Sequence, residues 1–384
     1  MKNKNKSGRS TSTDKTGGQR TRAIISGGGT GGHIFPALAI AKALSKRNPK
    51  IQILFVGAKN RMEMTKVPEA GYKIFGLPVK GFYRKQLLRN FNVLYRLVQS
   101  LFIACVIVKR FRPNVVIGVG GYAGGPVLFA ACLYRIPTII QEQNSYAGVT
   151  NRILSKMVDR ICVSYEGMER YFPAGKLVVT GNPVRDAFLE SITPEQTLLF
   201  FDFKQAKPVI LVLGGSLGAR TLNLSVLGCL DALPPEVHLI WQTGKEYFEK
   251  AKQAVAGKNL QDSVKVYKFI DRMELAFAAA HLVVSRAGAS TISELCVTGK
   301  PCILVPSPNV AEDHQTKNAM MLAGKNAAIV IPDHEAEKEL MPAAIRIVQN
   351  QEILEPLSEN IRKLARFNAA SAIAKLAEEL TIND

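Results

Sequence analysis

The residues with the most chemical promise sit in glycine turns. Ser26-Gly27-Gly28-Gly29-Thr30-Gly31-Gly32-His33 ends a short apolar run and opens an amphipathic helical pattern. Glycine tolerates positive φ and leaves room for close approach, so such a turn can wrap backbone N–H groups around an anion. The following helix adds unpaired N–H groups and the positive end of its dipole. The dipole disfavours an imidazolium at His33, which reads as a neutral base or donor, or as a structural histidine. Gly27, Gly29 and Gly32 satisfy G-x-G-x-x-G, the dinucleotide pattern. A nicotinamide site also wants an acid at the end of the second strand. Here residues 51–56 run into Gly57-Ala58-Lys59, and the first acid is Glu63. The turn is an anion site, not a NAD site.

Three further stretches have the same build. Gly118-Val119-Gly120-Gly121-Tyr122-Ala123-Gly124-Gly125-Pro126 suits a second phosphate, and Gln141-Glu142-Gln143-Asn144 ends the next strand on the same side. In Gly214-Gly215-Ser216-Leu217-Gly218-Ala219-Arg220, Ser216 either caps a helix or joins the backbone in holding a diphosphate. Ser285-Arg286-Ala287-Gly288-Ala289-Ser290-Thr291-Ile292-Ser293-Glu294 is a fourth strand–turn–helix junction. Thr291 and Glu294 have capping-box spacing, and the residues alone favour that cap. The functional alternative is Glu294 accepting both ribose hydroxyls of a nucleotide. Two anion-type turns in each half argue for two phosphorylated ligands. The sequence has no D-x-D pair and no His/Cys/carboxylate cluster at metal spacing, so no required metal is read.

These turns need strands and helices to aim them. Short β-branched runs at 23–27, 51–56, 72–77, 115–119, 137–141, 160–163 and 176–180 alternate with helical stretches near 33–47, 90–111, 124–134 and 147–156. That is the βαβ rhythm of a doubly wound parallel sheet. Gly181-Asn182-Pro183-Val184-Arg185 breaks it. The pattern then restarts at 209–213, with strands at 237–242, 264–267, 281–285, 301–305 and 327–331 and a final helical segment over about 353–380. The fold class is α/β, two Rossmann-like domains whose sheets face a cleft. The divisions read as a basic tail 1–22, a first domain 23–183, a second 184–352 and a helical segment 353–384.

The 384 residues are 47% hydrophobic and 21% charged, the composition of a globular chain, with a formal net charge of +19. Part of that charge is the tail, seven Lys/Arg against Asp14 amid Ser, Thr and Gly, which is expected to be disordered. The rest of the excess suits an anionic partner: nucleic acid, phosphorylated substrate or acidic membrane. Six cysteines without C-x-x-C spacing read as buried free thiols in a reducing compartment. No stretch reads as a membrane span, and 97–108 reads as a core helix. Residues 77–89 interleave Phe, Tyr and Leu with Lys and Arg, which suits an anionic membrane surface.

Taken in order, Gly28-Gly29-Thr30-Gly31-Gly32-His33-Ile34-Phe35-Pro36, Gly120-Gly121-Tyr122, Glu142-Gln143-Asn144, Gly181-Asn182-Pro183-Val184-Arg185, Gly214-Gly215-Ser216-x-Gly218-Ala219-Arg220 and Ser285-Arg286-x-Gly288-Ala289-x-Thr291-x-x-Glu294 resemble the MurG family of bacterial glycosyltransferases from residue 23 to about 380. The resemblance implies the GT-B fold, with a C-terminal helix crossing back to the first domain. It implies transfer of N-acetylglucosamine from UDP-N-acetylglucosamine to lipid I, giving lipid II in peptidoglycan synthesis. On the donor side it implies Ser216, Ala289, Ser290 and Thr291 for phosphate, the Ile270 backbone for uracil and Glu294 for ribose. Gln315 is assigned to the sugar, and Thr30, Gly31, Gly32, His33, Asn144 and Arg185 also face the donor. Gly28, Gly29, Gly121, Tyr122 and Gly124 take the acceptor. Where the family often has paired glutamines, His314 precedes Gln315 here.

The implied reaction is an inverting single displacement, with His33 the first candidate base and Glu142 or Asn144 supporting or orienting. No cofactor is expected, any divalent cation acting as a stimulant. The implied partners are UDP-N-acetylglucosamine, lipid I, an anionic membrane surface and other cell-wall synthesis proteins, with no nucleic acid. The implied location is the cytoplasmic face of the bacterial inner membrane, as a peripheral protein. The rivals are another UDP-sugar glycolipid glycosyltransferase and a UDP-N-acetylglucosamine 2-epimerase. A nucleic-acid-binding role rests on charge alone.

Overall fold

The computed structural model describes residues 21–79, 81, 90–215 and 218–382. Seven strands form the first sheet: β1 (Arg22–Ser26), β2 (Gln52–Ala58), β3 (Lys73–Leu77), β4 (Val115–Gly118), β5 (Thr138–Glu142), β6 (Arg160–Val163) and β7 (Leu177–Val179). Their order is β3-β2-β1-β4-β5-β6-β7, and every pairing is parallel. Six more form the second: β8 (Val209–Leu213), β9 (His238–Gln242), β10 (Val264–Tyr267), β11 (Leu282–Ser285), β12 (Cys302–Leu304) and β13 (Ile329–Val330), in the order β10-β9-β8-β11-β12-β13. All thirteen strands read from the sequence are present. Strands such as Val209-Ile210-Leu211-Val212-Leu213 are buried along their whole length because helices cover both faces of a parallel sheet.

The first half carries helices α1 (Gly31–Arg47), α2 (Glu63–Glu69), α3 (Asn90–Phe111), α4 (Gly124–Leu133) and α5 (Val149–Leu154). After the crossing come α6 (Pro194–Phe201), α7 (Arg220–Cys229), α8 (Phe248–Gly257), α9 (Met273–Ala279), α10 (Ala289–Thr298), α11 (His314–Ala323), α12 (Asp333–Val348), α13 (Gln351–Lys363) and α14 (Ala369–Ile382). Each sheet has a core on both faces, and Ile373, Ala374 and Ala377 of α14 join the one between α1 and the first sheet.

Three sequence readings change. Arg22, which composition puts in the tail, begins β1: its N–H donates to Asn114 Oδ1 at 2.8 Å and its guanidinium to the Phe111 carbonyl at 3.0 Å. The last helical segment is two helices, broken at 364–368, where the side chain of Arg366 packs against Gly181. Most important, α3 is only half a core helix. Val93, Ser100, Ala104 and Val108 face inward, while Tyr95, Val98 and Phe102 are 60–72% exposed. Arg96, Gln99 and Ser100 interrupt its apolar run without making the helix polar. Over 91–111 it is long and apolar enough to cross a membrane by length and composition, contrary to the expectation that no stretch is.

Candidate active site

The strand order reverses between β1 and β4 in the first sheet and between β8 and β11 in the second. Open α/β sheets take ligands at the carboxyl ends of strands beside such a reversal. The four glycine turns follow these four strands, so the fold places both pairs where ligands belong.

In the first domain the paired turns touch each other. A Cβ at Gly121, where φ is +81°, would lie 2.3 Å from the Gly28 carbonyl oxygen, so only glycine fits this crossing. Gly28 is closed in from the other side by Glu63. The Glu63 carboxylate is buried and accepts from the N–H groups of Gly29 at 3.0 Å and Ala58 at 2.9 Å. An internal carboxylate therefore uses one N–H of the first turn. Gly31 and Gly32 open α1 and have no carbonyl one helical turn back to bond, which leaves their N–H groups for a ligand.

His33 lies between the turns. Its Nδ1 is 3.1 Å from Thr30 Oγ1, and its Nε2 edge sits where a Cβ on Gly120 would be. Burial, with His314 nearby, lowers its pKa to about 4, so it is neutral at pH 7. The ring borders a cavity of about 740 Å³ shared with Glu142, Asn144, Tyr122 and Tyr146, and apolar side chains of α3, α4 and α5 line its other end. Glu142 is buried and saturated: its carboxylate accepts from Asn144 N at 3.1 Å, Asn144 Nδ2 at 3.3 Å, Gly148 N at 3.0 Å and Asn151 Nδ2 at 2.8 Å. It orients Asn144, and both of its oxygens are engaged by internal donors. Gly124 begins α4, behind the second turn.

On the second domain, Ser216 lies outside the described residues, although Gly215 and Gly218 on either side have φ of +77° and +85°. The Ile270 N–H already donates to Gln242 Oε1 at 2.9 Å, so its carbonyl is the group left for a base. Ala289, Ser290 and Thr291 form the first turn of α10, and Ser290 Oγ reaches across the cleft to donate to the Gly32 carbonyl at 3.2 Å. The capping box does not form. Gly288 is the N-cap, no side chain caps the helix, and Thr291 lies inside it. Glu294 instead meets Arg185 at 3.3 Å, and burial raises its pKa despite that cation. Arg185 lies between the rings of Phe35 and Phe188, 4.7 and 4.8 Å from their centroids, and its Nε is buried without a hydrogen-bond partner. An anion at the domain boundary would suit it. Gln315 Oε1 accepts from Ser307 N at 2.9 Å, which leaves its amide NH2 for a ligand.

From sequence Glu63 serves only to exclude NAD, Asn182 stands in a quoted motif without a role of its own, and Gln242 and Asn318 carry no signal. Asn182 bonds Gln141, Gln143, Ser164 and Ser293, tying the first sheet to α10. Amides carry little sequence signal, because exposed ones look the same. The basic and apolar stretch assigned to a membrane falls mostly at residues 80 and 82–89, outside the described residues.

Residues 23–163 match the glycosyltransferase family 28 N-terminal domain and 209–378 the family 28 C-terminal domain. A Parabacteroides distasonis protein named UDP-N-acetylglucosamine--N-acetylmuramyl-(pentapeptide) pyrophosphoryl-undecaprenol N-acetylglucosamine transferase is 54% identical over 358 residues, covering 92% of this chain and 97% of the relative. A Bacteroides thetaiotaomicron protein of the same name is 52% identical over 365 residues, covering 93% and 98%. The crystal structure of Acinetobacter baumannii MurG superimposes with a TM-score of 0.73 at 28% identity, over 94% of this chain and 99% of that one. A UDP-GlcNAc 2-epimerase from Neisseria meningitidis, at 15% identity and a TM-score of 0.65, shares the fold alone. The chain belongs to glycosyltransferase family 28 and, within it, to the MurG family.

Proposed function

We propose that this chain moves N-acetylglucosamine from UDP-N-acetylglucosamine to the C4 hydroxyl of the muramoyl sugar of undecaprenyl-diphospho-muramoylpentapeptide, turning lipid I into lipid II. The observation that carries the reading is the meeting of the two turn pairs, one per domain, at the Ser290–Gly32 contact beside His33. The relatives' names favour this reaction over the epimerase and over transfer to other glycolipids. In this reading the second domain holds the donor: Glu294 takes the ribose hydroxyls, the Ile270 carbonyl the uracil, the turns at Ser216 and Ala289-Ser290-Thr291 the diphosphate, and Gln315 the sugar.

The acceptor diphosphate lies against the two turns of the first domain, on the side of Gly121, Tyr122 and the N–H groups of Gly31 and Gly32, since Glu63 engages the Gly29 N–H and closes in Gly28. The C4 hydroxyl of the muramoyl sugar reaches the cavity at His33. The hydroxyl oxygen attacks the anomeric carbon as its proton passes to the neutral imidazole, and the bond to the UDP oxygen breaks on the opposite face. Negative charge then gathers on the leaving diphosphate. Helix N-termini and Arg185 meet it there, a role that needs no bound metal in this account. The exposed face of α3 and the basic excess of the chain support seating at an anionic membrane, where the polyprenyl acceptor resides.

The test is transfer of labelled sugar from UDP-N-acetylglucosamine to a lipid I analogue, with UDP-glucose and a diacylglycerol acceptor in parallel and EDTA in a matched series. Labelled disaccharide-lipid from the first pair alone is expected, undiminished by EDTA. Release of UDP with an altered free sugar and no transfer would move the assignment to the epimerase.

A further inference from the structure

Asn318 lies four residues after His314, on the helix that also carries Gln315. Its side chain is completely buried, although it belongs to the second domain and points at the first. Its Oδ1 accepts from Ser145 N at 3.1 Å and Ser145 Oγ at 2.9 Å, and its Nδ2 donates to Asn144 Oδ1 and to the Ala287 carbonyl, both at 3.4 Å. Ala287 belongs to the fourth glycine turn. Asn144 and Ser145 belong to the β5–α5 loop, which Glu142 braces from beneath. One amide on the helix of Gln315 thus touches the β5–α5 loop and the fourth turn. Next to it the Lys317 ammonium sits 3.6 Å from the centroid of Tyr146, on the same loop, so a second contact crosses at the same place. Asn182 also bridges the domains, but it reaches α10 rather than α11.

We propose that Asn318 is a positioning residue, a clamp that locks the β5–α5 loop to α11 when the cleft closes and so sets the acceptor's base against the donor's sugar. The inference rests on the transfer reading above for its rate prediction, but not for its mechanical one. When the domains separate, Asn318 loses Ser145 and Asn144 and keeps only Ala287. Closure therefore exchanges water for protein at a buried amide, a bond that is costly to leave half made. Donor affinity is set elsewhere on the second domain, so the clamp acts on turnover more than on donor binding.

The experiment compares wild type with Asn318→Leu, nearly isosteric but without hydrogen bonds, with Ser145→Ala, and with the double variant. Asn318→Leu is expected to lower kcat about 10- to 100-fold, as loss of two bonds to buried donors implies, while the Kd for UDP-N-acetylglucosamine moves less than about 3-fold. Ser145→Ala alone should cost less, and adding it to Asn318→Leu should cost almost nothing further. Hydrogen exchange supplies the readout that simple packing would not give. Donor binding to the wild type should slow exchange in residues 144–151 of the other domain, and Asn318→Leu should abolish that slowing. Should Asn318→Leu fail to fold, Ser145→Ala must show the same weakened protection. Parallel losses of melting temperature and donor affinity, with donor-induced protection of 144–151 intact, would overturn the clamp. Protection that depends on Asn318 in a wild type that transfers nothing to lipid I would uphold the clamp and reject the acceptor assignment.

Discussion

With Nδ1 against Thr30 and Nε2 at the edge of the cavity, His33 is held in one orientation and one charge state. Replacing it by asparagine should lower turnover at least about 100-fold, the reach of a positioned general base, with UDP binding nearly unchanged by calorimetry. Near-normal turnover would remove it from the reaction. Because its pKa falls from 6.5 to about 4, native His33 stays neutral where the unfolded chain's histidine already binds a proton. Its contribution to stability is thus complete above about pH 6.5 and shrinks as the pH falls toward 4. Corrected for folded fraction, kcat/KM should stay flat from pH 8 to about 5 and drop below that, whereas a limb near 6.5 would contradict the buried imidazole. For Glu294 the structure removes the capping role, so Glu294→Ala should weaken UDP binding roughly 10-fold or more, at one or two charged hydrogen bonds lost. Unchanged UDP affinity with a lowered melting temperature would restore a structural role. The sequence pointed to both residues. It did not reveal that Glu142 is saturated or that Glu63 occupies the first turn, because both facts depend on which distant N–H groups face a carboxylate.

The elements were more legible than the contacts between them. Short continuous β-branched runs and glycine punctuation locate every strand described, since a parallel sheet buried on both faces requires such runs. Helix α3 defeated the same approach, because an apolar stretch looks alike whether it faces a core or a solvent-exposed surface. Its inward side is narrow, at Val93, Ser100, Ala104 and Val108, and its outward side carries Phe91, Tyr95, Val98 and Phe102. An exposed apolar face of this kind marks an interaction surface, and burying each large side chain fully in lipid is worth about 1.5–3 kcal/mol. Tyr95→Asp with Phe102→Asp should therefore reduce sedimentation with anionic vesicles at least about 10-fold, while transfer to a water-soluble acceptor analogue persists. Unchanged vesicle binding would move the docking surface away from α3.

At the scale of the whole molecule, the sequence announced two domains by repeating its strand–glycine–helix opening at 209–220. It did not announce how the halves meet, which is decided by Asn182, Ser290, Lys317 and Asn318 reaching across the cleft. Such polar bridges leave no periodic trace, and only the folded chain brings them together. Their effect is to set two turn pairs face to face beside His33, and in the proposed reaction the hydroxyl and the anomeric carbon meet there. Glu142, both oxygens engaged, offers no free carboxylate to form a glycosyl intermediate, which favours the proposed direct displacement. The most direct test is the anomeric configuration of the new linkage, read by proton NMR on the disaccharide released from the product formed with α-linked UDP-N-acetylglucosamine. A β linkage alone is the predicted result; an α linkage would contradict the single displacement.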